Sequence, residues 1–189
     1  GKLALKTILE PNWSELNYVD NLDMAAQPKE TINGIDYAVI HQSMAMNGLT
    51  VKNKLLMQIV GQSADFSGQF YLSPLLFKPG NSVPVPPPQK EAPATDFEKP
   101  IAGKQYVYTF DTNNNGFFDA WGGAFQRNFP VQYSNDLGEG ALRLNVNYTG
   151  GGWEEANIAE WLSGTANTKW DLSAYEQVEF DVFLPEAMA

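Results

Sequence analysis

The run Gly150-Gly151-Gly152-Trp153-Glu154-Glu155-Ala156-Asn157-Ile158 places a large flat ring beside carboxylates and an amide. An indole offers an apolar face to the C–H side of a sugar ring, and neighbouring carboxylate or amide groups can then hold its hydroxyls. The two-residue repeat of a strand sets Trp153, Glu155 and Asn157 on one face and Ala156 and Ile158 on the other. Glu155 and Asn157 are therefore the first choice of hydroxyl partner. Gln126 and Arg127, on a neighbouring strand, are the second; the alternative for all four is a solvated face. Three glycines before Trp153, and Pro11 within Glu10-Pro11-Asn12-Trp13, suit exposed positions for these rings. The alternative is that they pack in the core, the role expected of Trp161 and Trp170.

Other groups offer different chemistry. Asp111-Thr112-Asn113-Asn114-Asn115-Gly116-Phe117-Phe118-Asp119 has oxygen ligands at alternate positions before a glycine, a pattern that suits calcium. Structural calcium held near Asp111, Asn113, Asn115 and Asp119 is one reading. The other is an Asn-Gly turn, because the bidentate Glu of a calcium loop is missing. His41 is the one histidine and lies inside an apolar strand, which points to a structural role, and no Ser-His-Asp triad can be assembled around it. A glycosidase needs two carboxyl groups facing each other across a groove. Glu179-Phe180-Asp181 begins like such a motif, but Phe183 and Leu184 stand where the acid is needed. Glu154 and Glu155 are adjacent in a strand and point to opposite faces. No catalytic residues are assigned.

Composition narrows the classes further. In 189 residues, 43% are hydrophobic and 13% aromatic, enough for a sizeable core. The net charge of −10 argues against nucleic acid and against an anionic membrane surface, since both would repel the chain. Cysteine is absent, so disulfides, zinc–thiolate sites and thiol nucleophiles are excluded. No apolar run approaches the roughly 18 to 20 residues that cross a bilayer as a helix. The composition fits a secreted, extracellular bacterial module, and the chain reads as if excised from something larger.

The elements that must position these residues are strands. Strand signals fall at 3–9, 36–42, 54–60, 68–77, 105–110, 124–129, 141–148, 153–161 and 177–184. Pro74 marks the run to Phe77 as an edge or terminal strand. In 142–148 Leu142, Leu144 and Val146 face one way and Arg143, Asn145 and Asn147 the other, and in 178–184 the even-numbered residues are all apolar. Both patterns describe antiparallel strands with one buried face. Helical signal is confined to a turn at 171–175, and 24–30 reads as a loop. The expected fold is all-β, a sandwich of jelly-roll type. A proline-rich spacer, including Pro84-Val85-Pro86-Pro87-Pro88, occupies 79–104. Each flank is short for a domain and neither repeats the other, so 1–78 and 105–189 are expected to build one sandwich.

Three segments of the second flank resemble the first half of carbohydrate-binding module family 27, the mannan-binding sandwiches of bacterial β-mannanases. They are Gly138 to Val146, Gly152 to Ala159, and Val178 to Pro185. Leu3–Leu9 with Glu10-Pro11-Asn12-Trp13, then Leu55 to Gly61 and Gly68 to Leu72, resemble that family's second half. The halves stand in swapped order, and reading Ala189 into Gly1 restores an unbroken module. The resemblance implies a circular permutant, or an excerpt running from mid-module to mid-module in a tandem array. It implies that Trp153, Trp13 and Trp121 line the sugar groove, and that the partners are β-mannan, glucomannan or galactomannan together with a tethered catalytic mannanase domain. The alternatives are a jelly-roll glycoside hydrolase acting on β-glucan or mannan, and a structural or adhesion sandwich without sugar binding.

Overall fold

Strands whose residues alternate between apolar and polar can lie down only where one face meets a core and the other does not. The computed structural model shows this arrangement and describes residues 1–8, 15–46, 54–79, 106–114, 117, 129–161 and 175–188. The strands among them are β1 (Lys2–Ile8), β2 (Glu15–Val19), β3 (Lys29–Ile32), β4 (Ile35–Ala45), β5 (Lys54–Gln62) and β6 (Asp65–Leu72). They continue with β7 (Leu75–Pro79), β8 (Tyr106–Tyr108), β9 (Val131–Ser134), β10 (Ala141–Thr149), β11 (Glu154–Trp161) and β12 (Tyr175–Pro185), followed by a 3₁₀ turn at Glu186–Met188.

The strands form two antiparallel sheets. A four-stranded sheet runs β11-β5-β1-β2. A wider one runs β3-β4-β12-β6-β10-β9, with β7 on β12 and β8 on β7. The fold is an all-β sandwich. Both flanks of the proline-rich stretch enter both sheets: β11 pairs with β5, while β12 lies between β4 and β6 and β10 beside β6. Neither flank can complete a sheet without the other. Of the spacer, Pro79 closes β7 opposite Tyr175, and 80–104 lie outside the described residues.

The inward faces make one core. Leu3 and Leu5 of β1, Met57 and Ile59 of β5, and Ala156 and Ile158 of β11 meet Leu142, Leu144 and Val146 of β10 and Val178, Phe180, Val182 and Leu184 of β12. The even-odd patterns expected for β10 and β12 hold at each of these residues. At one end of the core the rings of Phe77, Tyr108, Phe110 and Phe117 interlock; the Tyr108–Phe117 centroids are 5.1 Å apart and edge to face. Truncating any buried side chain of this size costs about 3–5 kcal/mol. The Tyr148 hydroxyl of β10 crosses to donate to the Ile59 carbonyl of β5 at 2.6 Å, so the one polar atom of that ring ties the two sheets together.

The structure departs from the sequence reading in several places. Strand β7 is not an edge: it pairs with β12 and with β8. Pro74 lies in the break before β7, where its missing N–H interrupts no ladder. Residues 29 and 30, read as loop, open β3, which turns into β4 through Asn33 (φ 51°) and Gly34 (φ 81°), the left-handed pair of a two-residue hairpin. Strands β2 and β9 were not expected. The strand expected at 124–129 lies outside the described residues except for Phe129, which is not in a strand. Residues 171–174 of the expected helical turn also lie outside them, and Tyr175 begins β12.

Candidate functional site

The outward face of the four-stranded sheet is built by register. Asn157 of β11 is opposite Gln58 of β5, Gln58 opposite Lys6 of β1, and Lys6 opposite Tyr18 of β2. One cross-sheet row therefore carries an amide pair, an ammonium and a phenol ring. Glu155 lies two residues before Asn157 on the same face, and Trp153 just precedes the strand. Behind this row, Ile8, Leu56 and Ala159 form a small apolar cluster on the same side of the sheet.

Trp153 is held by the turn that precedes it. Gly150 takes φ +80°, a conformation open to glycine at little cost. The Glu154 carboxylate accepts from the Thr149 N–H at 2.8 Å, the Thr149 hydroxyl at 3.0 Å and the Gly151 N–H at 3.2 Å. The turn is also bonded to the β5–β6 hairpin: the Gly150 N–H donates to the Ala64 carbonyl and the Ser63 N–H to the Gly151 carbonyl, both at 2.7 Å. Glu154 is thus occupied in holding the loop.

The indole of Trp153 is 42% exposed, and its Nε1–H donates to Glu155 Oε1 at 2.6 Å. Glu155 Oε2 accepts from Gln58 Nε2 at 2.9 Å, and the same amide donates to Asn157 Oδ1 at 3.0 Å. Glu155 and Asn157 are 8% and 0% exposed. The Lys6 ammonium lies 5.1 Å from the Trp153 ring centroid and 4.7 Å from that of Tyr18, within cation–π range of both. The result is two half-exposed rings on either side of a cation, with the Trp153 indole oriented by a carboxylate that an amide holds in turn.

Of the sequence-predicted site residues, Trp153, Glu155 and Asn157 come together on this face. Asn157 is buried, with its carbonyl oxygen bonded to Gln58. Trp13, Trp121, Gln126 and Arg127 lie outside the described residues. So do Asn115 and Asp119 of the acidic loop. In that loop Asn113 Nδ2 donates to the Thr112 hydroxyl at 3.4 Å. Asn114 Nδ2 donates to the carbonyls of Phe117 and Val131, and the Phe117 N–H returns to the Asn114 carbonyl at 2.9 Å, the bond of a turn. Among the described residues no group of three or more acidic or histidine side chains comes together. Residues the sequence reading missed are Gln58, Lys6 and Tyr18.

The other carboxylates of interest face outward on the wide sheet. His41, expected inside its strand, stands on the exposed face, with Nδ1 2.8 Å from Asp181 Oδ1. Glu179 meets the Lys78 ammonium at 2.7 Å and accepts from the Ser43 hydroxyl at 3.2 Å. Burial pushes the Glu179 carboxyl up, but Lys78 and Ser43 outweigh it and leave the group below its ordinary value.

Comparison with known proteins gives no match: no family model fits the chain, and neither a curated protein nor a solved structure resembles it closely enough to count.

Proposed function

We propose that this chain is a non-catalytic carbohydrate-binding module that takes β-mannan or manno-oligosaccharides on the outer face of its four-stranded sheet. The observation that carries the proposal is the Trp153 indole, left open on that face while Glu155 locks its orientation through a 2.6 Å hydrogen bond. A fixed, half-exposed indole is a stacking surface whose ordering cost has been met before ligand arrives. Tyr18, whose ring centroid lies 4.7 Å from the Lys6 ammonium, supplies a second ring on the other side of that cation. A neutral polymer suits a chain of net charge −10.

Mannan, rather than another neutral glycan, is favoured by the resemblance of both flanks to carbohydrate-binding module family 27. In that reading the sandwich is a jelly roll with its halves permuted, the module is secreted, and it raises the local concentration of a tethered mannanase on its polysaccharide. The interleaving of the two flanks in both sheets supports the reading that they are halves of one module. A binding role is also favoured by the engagement of Glu154 in its turn, of Glu179 with Lys78 and of Asp181 with His41.

The test is calorimetric titration with mannohexaose and cellohexaose beside a hydrolysis assay on both. Mannohexaose binding without hydrolysis is expected, with Trp153→Ala weakening it at least about tenfold, or ~1.4 kcal/mol. Trp13→Ala is expected to act in the same direction. Unchanged binding in Trp153→Ala would remove this face as the site, and hydrolysis of either sugar would replace the module reading with a glycosidase.

A further inference from the structure

Each flank of the proline-rich stretch holds strands that its own residues do not pair. Among the described residues, β6 and β7 of the first flank bond only to β8, β10 and β12 of the second. In return, β8, β11 and β12 of the second bond only to β4, β5, β6 and β7 of the first. A lone flank would expose rows of unmade backbone bonds and the apolar faces that now meet in one core. The charges divide in the same way. Asp and Glu outnumber Lys and Arg twelve to three in 106–189 but only seven to six in 1–79. Described ion pairs across the boundary set a base of the first flank against an acid of the second. They are Lys29 with Glu186 at 2.5 Å, Lys78 with Glu179 at 2.7 Å, and His41 Nδ1 with Asp181 at 2.8 Å.

The covalent link adds little to this arrangement. Leu75, Leu76 and Phe77 of β7 pair with Tyr108, Val107 and Tyr106 of β8, so the chain leaves one strand and re-enters beside it. Neighbouring antiparallel strands need only about two to five residues between them, whereas residues 80–105 supply about 26. An interface made of a shared core and continuous ladders resembles that of an obligate dimer, which holds without a tether. The Trp153 site is built across the same boundary. Gln58 of the first flank donates to Glu155 at 2.9 Å and Asn157 at 3.0 Å, both of the second, and the Lys6 ammonium lies 5.1 Å from the Trp153 ring centroid.

We propose that the flanks are complementing halves, each the protein partner of the other, so that a chain cut within 80–105 stays one folded module with its site intact. The matching half of a second copy fits as well as the chain's own, because it forms the same ladders and ion pairs. Sugar binding needs both halves in place, so mannohexaose tightens their association, and association tightens mannohexaose in equal measure. That coupling rests on the carbohydrate-binding reading above; the complementation does not.

The test inserts a specific protease site between Gln89 and Lys90 of the full chain, folds the protein and then cuts it. The pieces should co-elute at the volume of the uncut chain, part in urea and regain that volume on dilution. Isotope-labelled and unlabelled cut protein, mixed in urea and diluted, should give mixed pairs by native mass spectrometry. Mannohexaose should bind the cut protein within about threefold of the uncut chain and raise the urea concentration at which the pieces part. Pieces that separate without denaturant, or that do not re-form where the uncut chain refolds, would overturn the complementation whatever the uncut chain binds. Co-elution with no mannohexaose binding by either form would keep the complementing halves and overturn the carbohydrate reading.

Discussion

On the outer face of the four-stranded sheet Asn157, Gln58 and Glu155 are 0%, 6% and 8% exposed, whereas on that of the wide sheet Ser43, Ser67, Asn145 and Asn147 lie open to solvent. Both faces carry hydrogen-bonded polar ladders. They differ in what a lost bond costs. A buried donor or acceptor left alone pays its desolvation in full, while an exposed one turns to water. The closed face must therefore be completely bonded, and complete bonding is what fixes Trp153. The open face can exchange its partners for water. Rigidity and adaptability are divided between the two sides of one sandwich.

The largest expected effect follows from that division. Gln58→Leu removes the amide that serves both Glu155 and Asn157 and leaves a carboxylate oxygen and a carbonyl short of a donor in a closed site. Unfolding stability should fall by about 3 kcal/mol, and mannohexaose affinity should fall with it as the indole loses its anchor. Asn147→Ala, on the open face, removes a 2.6 Å bond from the Ser67 hydroxyl yet should change stability by no more than about 0.5 kcal/mol. Equal losses in urea denaturation would erase the distinction between the faces.

Much of this architecture was legible in the chain. The alternation of Leu142 to Tyr148 and of Val178 to Leu184 gave the buried faces because each strand carries its own period-two signal. The same parity brought Trp153, Glu155 and Asn157 together. Gln58 could have been found as the one amide in the apolar run Leu55 to Val60. Asn33-Gly34 is a hairpin signal that was present and not used. Lys6 and Tyr18 were not legible, because their placement beside Trp153 depends on the registers of β11, β5, β1 and β2, which are set by contacts distant in sequence. Strand β9 was hidden for another reason: it is four residues long, too short to show a period.

A smaller effect separates the faces by pH. In the folded chain the Glu179 carboxyl lies below its ordinary value of 4.5 because Lys78 and Ser43 outweigh its burial. A depressed carboxyl contributes stability that is complete above the unfolded value and is lost as pH falls through the folded one. Glu179→Gln should cost about 0.2–1 kcal/mol at neutral pH, as expected for a partly exposed ion pair, and should lessen the decline below about 4.5. Gln58→Leu should lower stability at every pH without flattening that decline. Urea midpoints for both variants at neutral pH and near pH 3.5, within the carboxylate range, would show whether the wide face alone carries the Glu179 share of acid sensitivity. An unaltered acid decline in Glu179→Gln would assign it elsewhere.

The last effect concerns one of the described places where the rule that buried groups are bonded fails. Thr7 stands on the inward side of β1 with Leu3 and Leu5, fully buried, and its hydroxyl has no partner. On the outward side of the same strand Lys6 is shared between two rings. An unbonded hydroxyl in a core contributes its volume but also the cost of leaving water. Thr7→Val keeps the branched shape and removes that cost, so stability should rise by about 0.5–1 kcal/mol with mannohexaose affinity unchanged. A loss of stability instead would mean that a buried water bonds Thr7, and the inner side of the sheet would then obey the same requirement of complete bonding as the closed face around Gln58.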